Sequence, residues 1–112
     1  MRIALGQIPV SSVPAVNLGR VRDAAVSAAA QNAQMVVFPE GTQARFSVNL
    51  SAIAEPVHGE FCEGLADIAR SAGIALVAGV FEPAPDGRVY NTTVGYDSDG
   101  RLAAVSSPLN FT

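Results

Sequence analysis

The sequence has 112 residues and a mild net charge of −3, which is enough chain for one compact domain and too little for two. An apolar fraction of 49% against 15% charged residues excludes a disordered chain. All seven basic residues are Arg, with no Lys, and they form no cluster, which excludes nucleic-acid and anionic-membrane binding.

The single Cys62 rules out an internal disulfide and fits a reducing compartment. No apolar stretch is long enough for a signal-peptide core or a membrane span, so the expected location is the cytoplasm. There is no Trp, and much of the apolar content is Ala and Val, which predicts a core of small side chains.

The elements follow from pattern and punctuation. Arg2 to Ile8 is a first strand, with Gly6 allowing close approach of another backbone. Pro9 to Pro14 is a connection. A helix is predicted from about Asn17, as its N-cap, to Asn32, with Leu18, Val21, Ala25 and Ala28 on one face. Met35 to Phe38 is a short β-branched run and a second strand, stopped by Pro39, which has no N–H to give a ladder.

The order β-α-β favours parallel strands joined by a right-handed crossover. Residues Gly41 to His58 have no sustained period and are read as a long loop. Gly59 to Ala72 is a second helix with Phe61, Leu65, Ile68 and Ala72 on its apolar face and Gly73 at C′. Ile74 to Phe81 reads as a strand buried on both faces. Arg88 to Tyr96 and a strand from Leu102 to Val105 follow turns with Asp-Gly at their tips, so the last three strands should be sequential and antiparallel. Ser106 to Thr112 carries no helix pattern.

This arrangement delivers one carboxylate, Glu40, to the C-terminal end of a central strand, the end of α/β sheets where ligands collect. No Gly-x-Gly-x-x-Gly or P-loop follows the first strand, so a nucleotide site has no support.

Several of these stretches resemble the nitrilase superfamily of carbon–nitrogen hydrolases. They are Met1-Arg-Ile-Ala-Leu-Gly-Gln7, the Ala-rich helix opening at Asn17-Leu18, and Ala33-Gln-Met-Val-Val-Phe-Pro-Glu40. Leu65 to Gly79, Gly87-Arg-Val-Tyr-Asn-Thr92 and Tyr96-Asp-Ser-Asp-Gly-Arg-Leu102 continue in the family's order over about residues 1 to 105. The resemblance implies an α/β fold, an incomplete α-β-β-α sandwich running β-α-β-α-β and then antiparallel hairpin strands. Residues 1–112 would be the N-terminal part of that domain.

The resemblance also implies chemistry. Glu40 aligns with the family's general base, which takes the proton of a Cys thiol; the thiolate forms a thioester with an amide or nitrile carbon, and a Lys stabilises the oxyanion. A thiol with a pKa near ~8.5 needs such a base at neutral pH, and charge developing on oxygen needs a fixed cation or donor. The implied partners are a small-molecule amide or nitrile and, in a complete member, further copies in a homo-oligomer. No cofactor and no metal are implied.

The departure is at the next motif. Where the family carries an aromatic-basic-Lys-x-His segment, this chain reads Val105-Ser-Ser-Pro-Leu109, and the family's nucleophilic Cys and second Glu belong further on still. The chain is therefore expected to be a truncated, inactive piece of the hydrolase, with a non-catalytic assembly module pairing with a full-length paralogue as the alternative.

Other candidates are weaker. Cys62, between Glu60 and Glu63 in a first helical turn, reads as a small half-buried helix residue, because like charges oppose a thiolate. His58 is the only His and precedes a helix, with no second ligand to share a metal. Arg45 reads as an exposed loop residue, Asn91 as a buried strand amide, and Thr42 as a possible orienter of Glu40.

Overall fold

The computed structural model describes residues 1–45, 49–106 and, as backbone, 110–111. The order is β1 (Ile3–Leu5), α1 (Pro14–Ala30), β2 (Met35–Val37), α2 (Leu50–Ile53), α3 (Glu60–Ala72), β3 (Ala75–Pro83), β4 (Val89–Tyr96), β5 (Leu102–Ser106) and β6 (Asn110–Phe111). The four-residue α2 lies inside the stretch expected to be loop throughout. Residues 46–48 of that stretch, and Ser107–Leu109 where the family's Lys motif was sought, lie outside the described residues.

The strands form one sheet in the order β1-β2-β3-β4-β5, with β6 pairing β4 as well. The first three are parallel, in the register Ile3↔Met35 and Met35↔Ala75. The antiparallel β3-β4 and β4-β5 pairs are the two hairpins expected from the Asp-Gly turns. This is the α/β pattern with antiparallel hairpin strands that the sequence predicted.

Both long helices cover the same face. On α1 the buried stripe is Asn17, Val21, Ala25 and Ala28; on α3 it is Phe61, Cys62, Leu65, Ile68 and Ala69. They meet Val36, Phe38, Leu76, Ala78, Val80, Val94 and Tyr96 of the sheet. Gly73 ends α3 in the left-handed region at φ 65°, the C′ role read from sequence. The core is not all small: Phe81, Leu65, Ile68, Ile74 and Leu76 are its largest fully buried side chains.

Four expectations are corrected. First, β1 is only three residues long, and Gly6 beyond it makes room for a ring, not for another backbone: a Cβ there would lie 2.3 Å from Phe38 Cε1. Second, β3 is buried on both faces only from Ala78 to Phe81, since Ala75 and Val77 before them are half-buried while Leu76 is fully buried. Nothing among the described residues covers the second face at that end.

Third, Asn91 is half-buried, and the buried polar residue of its strand is Thr92, whose Oγ1 donates to Glu82 Oε1 at 2.7 Å. Fourth, Asn17 is not an N-cap. The helix starts three residues earlier, with Pro at its first positions and Val13 as N-cap without a side-chain bond. Asn17 is fully buried instead, and its amide is a tertiary tie. Oδ1 accepts the Ser11 N–H at 2.8 Å, while Nδ2 donates to Ser11 O at 2.9 Å and to Gln43 O at 2.8 Å.

The two roles for Asn17 predict opposite results for Asn17→Asp. An N-cap tolerates Asp as well as Asn. A buried amide that donates to two carbonyls does not, because Asp sets a carboxylate against both. We expect Asn17→Asp to cost about 3 kcal/mol or more in urea denaturation, and more than Asn17→Ala.

Candidate active site

The site is built by the way the chain leaves β2. Phe38 N–H donates to Val77 O at 2.8 Å, and the next bond to the same edge of β3 is Thr42 N–H to Gly79 O at 3.1 Å. A regular parallel ladder moves two residues along each strand between such bonds. Here β3 moves two and its partner moves four, so two residues are extra and Pro39-Glu40-Gly41 is thrown out as a bulge. Gly41 takes φ 71°, a conformation that few other residues adopt without strain.

Gly79 makes the crossing possible. A Cβ there would stand 2.7 Å from Glu40 Cα and 3.0 Å from Gly41 N, so the bulge occupies the space a side chain would need. The signal was present in the sequence as a Gly inside an apolar strand run.

Beyond the bulge, side chains continue the ladder. Gln43 Oε1 accepts the Phe81 N–H at 2.9 Å, Gln43 Nε2 donates to Ile53 O at 3.0 Å, and Glu55 N–H donates to Phe81 O at 2.9 Å. Gln43 is 1% exposed and its own carbonyl takes the Asn17 amide. Thr42 Oγ1 donates to Pro39 O at 2.6 Å, so Thr42 fixes the backbone of the bulge and not the Glu40 carboxylate. Gln43, Asn17 and Glu55 were not singled out as site-forming. Their partners lie up to 38 residues away, beyond the reach of a local pattern.

Glu40 itself is exposed, with its backbone packed over Gly79. A concavity of about 320 Å³, lined by Leu5, Gly6, Gln7, Val37, Phe38 and Pro39, opens immediately before it. Arg45 is exposed, with its N–H on Ser11 O, and the ion pair found among the described residues is Arg70 with Asp67, not Arg45 with Glu40. His58 is exposed in the turn before α3. Among the described residues no three His, Cys, Asp or Glu side chains group to hold a metal ion, and no helix is long and apolar enough to cross a membrane.

Cys62 is on the other side of the sheet. Its hydrogen-bond partner is Tyr96, which pairs with Leu76 on the helix-covered face, whereas Glu40 crosses β3 on the Gly79 face. Cys62 is 4% exposed, buried and not half-buried. Burial pushes its thiol pKa up, and the charges of Glu55 and Glu82 add to the rise; the Tyr96 hydrogen bond opposes it without prevailing. The opposing carboxylates are thus Glu55 and Glu82, brought close by folding, and not the sequence neighbours Glu60 and Glu63. Burial also raises the Tyr96 phenol, with Cys62 contributing. Glu55 has a second task, since its Oε1 accepts the Phe61 N–H at 2.8 Å and caps α3 from outside the helix.

Two outcomes follow. Gly79→Ala should cost about 1–3 kcal/mol in urea denaturation. Gly95→Ala, whose Cβ would meet nothing nearer than 3.7 Å, should change stability by no more than about 0.5 kcal/mol. Equal midpoints for the two would contradict the crossing. The second outcome concerns pH. Cys62 and Tyr96 hold their protons more tightly folded than unfolded, from ordinary values of 9.0 and 10.0. The stability this provides is complete below the unfolded pKa values and is lost as pH rises through and above them. Thermal melts should therefore fall from pH 8.5 to 10.5, on the order of the ordinary pKa values, and Cys62→Ala should flatten the first part of that fall.

Comparison with known proteins identifies the family and the fold. The carbon-nitrogen hydrolase family model matches residues 2–110. A Mycobacterium tuberculosis hydrolase is 50% identical over 94 residues, covering 84% of this chain and 34% of the relative. The omega-amidase NIT2 of Danio rerio is 35% identical over 102 residues, covering 90% and 37%. Among solved structures, an amidase from Nesterenkonia sp. AN1 superposes with a TM-score of 0.84 at 29% identity, covering all of this chain and 45% of that one. A glutamate-to-glutamine mutant of that amidase shows the Michael addition of acrylamide at its active-site cysteine, and superposes at 0.82 with 30% identity over 96% of this chain and 43% of its own. The chain thus spans about a third of the length of the curated relatives and under half of the solved amidase.

Proposed function

Because this chain belongs to the carbon-nitrogen hydrolase family, we propose that it supplies the general base, Glu40, of an amidase-like active site. The observation that carries the proposal is the bulge: an exposed carboxylate at the end of β2, next in sequence to a concavity, in a loop hydrogen-bonded to β3 through the Thr42 N–H, the Gln43 side chain and the Glu55 N–H. A carboxylate so placed can take a thiol proton and later help water attack the acyl-enzyme. The substrate class is a non-peptide amide or nitrile. The amidase names of the relatives favour the amide.

In the proposed reaction Glu40 accepts the proton of a Cys thiol, and the thiolate attacks the carbonyl carbon. A Lys ammonium holds the oxyanion, ammonia leaves with the proton returned to it, and water cleaves the thioester. The 112 residues contain no Lys, and Cys62 is buried behind the sheet with a raised pKa. We therefore place the Lys and the nucleophilic Cys outside these residues, and expect the chain alone to be inactive. The uncovered second face of the sheet favours one other reading, a non-catalytic module that assembles with a full-length paralogue.

Ammonia release from acetamide or butyramide tests the proposal. The isolated chain should give none. A polypeptide joining these residues to the Lys- and Cys-bearing part of a family member should be active, and Glu40→Gln in it should lower kcat by about 10²–10⁴. Turnover by the isolated chain that Glu40→Gln abolishes would contradict the inactivity; an unchanged kcat in the joined protein would contradict the base.

A further inference from the structure

Among the described residues no group bonds or pairs with the Glu40 carboxylate, so its direction is inherited from its backbone. That backbone lies over Gly79, and its two flanks are anchored unequally. Before it, β2 is paired on both sides, through Ile3↔Met35 and Met35↔Ala75 and on to the Phe38 N–H bond with Val77 O. After it, the chain regains β3 at one backbone bond, Thr42 N–H to Gly79 O, and then leaves. In a regular parallel ladder the next bond would join the Phe81 N–H to Thr42 O. Gln43 Oε1 takes that N–H instead, at 2.9 Å, so a side chain replaces the strand's missing peptide.

Gln43 suits that place by its chemistry. A primary amide carries the acceptor and the donor of a peptide group, and Gln43 uses both, since its Nε2 donates to Ile53 O at 3.0 Å. The side chain is 1% exposed, so water does not replace bonds lost there. Its own carbonyl accepts Asn17 Nδ2 at 2.8 Å, which ties the same residue to α1. Contacts from α1, α2 and β3 therefore converge on one residue, close after Glu40 in the chain.

We propose that Gln43 is the positioning residue of Glu40. Its carboxamide, bridging the Phe81 N–H and Ile53 O, fixes the returning flank of the bulge, and with it the place of the carboxylate relative to the thiol it deprotonates. The inference rests on the reading of Glu40 as general base. Gln43 acts through the backbone and not on the substrate. Its loss therefore shows in the rate of the chemical step and not in substrate binding. A reacting group misplaced by about 1 Å can lose about 100-fold in rate.

Gln43→Met keeps the length and the burial of the side chain and removes both bonds, which makes it the test. In the 112-residue chain, amide hydrogen exchange followed by NMR should speed up about tenfold or more at Thr42 and stay unchanged at Val21 of α1. In the polypeptide that joins these residues to the Lys- and Cys-bearing part of a family member, kcat for butyramide should fall about 10- to 100-fold, with KM within about twofold of the wild type. Leu65→Ala, a cavity in the α3 core, should lower the urea midpoint at least as far and leave kcat within about twofold.

Protection at Thr42 that survives Gln43→Met overturns the proposal. So does a raised KM with kcat unchanged, or an equal loss of kcat in Leu65→Ala. A kcat that falls only in step with the folded fraction, read by circular dichroism, also overturns it, because Gln43 would then be structural alone. Glu40→Gln in the joined protein separates the two readings. An unchanged kcat there overturns the base and this inference with it, whereas a loss there without one in Gln43→Met overturns this inference alone.

Discussion

Two residues too many between Phe38 and Thr42 decide where everything else near Glu40 goes. The edge of β3 offers Val77 O, Gly79 O and the Phe81 amide and carbonyl in sequence, and β2 ends too early to meet them as a strand. Buried backbone groups left unpaired are costly. The chain therefore meets them with what it has: the Thr42 N–H, the Gln43 side-chain amide and the Glu55 N–H. The surplus residues leave that ladder and cross over Gly79, with Glu40 exposed among them. The carboxylate is outside because the hydrogen bonds on either side of it are inside.

The same segment orders its surroundings. Asn17 ties α1 to the carbonyl of Gln43, and Glu55 caps α3 while bonding β3. Phe81 and Ala44 are buried apart from the main core cluster, on the side of the sheet that this loop reaches. The loop thus covers the far end of the Gly79 face and leaves the near end, at Ile3 and Leu5, bare. The helix-covered face is settled independently by apolar packing. Cys62 and Tyr96 share a hydrogen bond there, on the face away from Glu40.

Much of this was legible in the sequence. Helix faces at Val21, Ala25 and Ala28, and at Phe61, Leu65 and Ile68, follow a period that burial enforces. Pro39 stops a strand for a local reason, and Asp-Gly turns give hairpins for a local reason. What failed were inferences where a local rule met a distant partner. Asn17 has the composition of an N-cap, but Pro14 opens the helix earlier and frees the amide for Ser11 and Gln43. Gln43 gives no sign of its work, because the groups it satisfies belong to Ile53 and Phe81. Glu40 was placed by a resemblance and by the end of a strand; the bulge that presents it depends on counting bonds along β3, which only coordinates supply.

The clamp around the bulge contains peptide groups, a hydroxyl and two carboxamides, with Glu55 taking part there through its main-chain N–H. Among the described residues no ion pair takes part in this clamp. Mobile ions screen attractions between charges and do little to bonds of this kind. The frame that carries Glu40 is therefore held by bonds that ionic strength changes little. The base proposed for this position would thus sit on a mounting that is electrically silent.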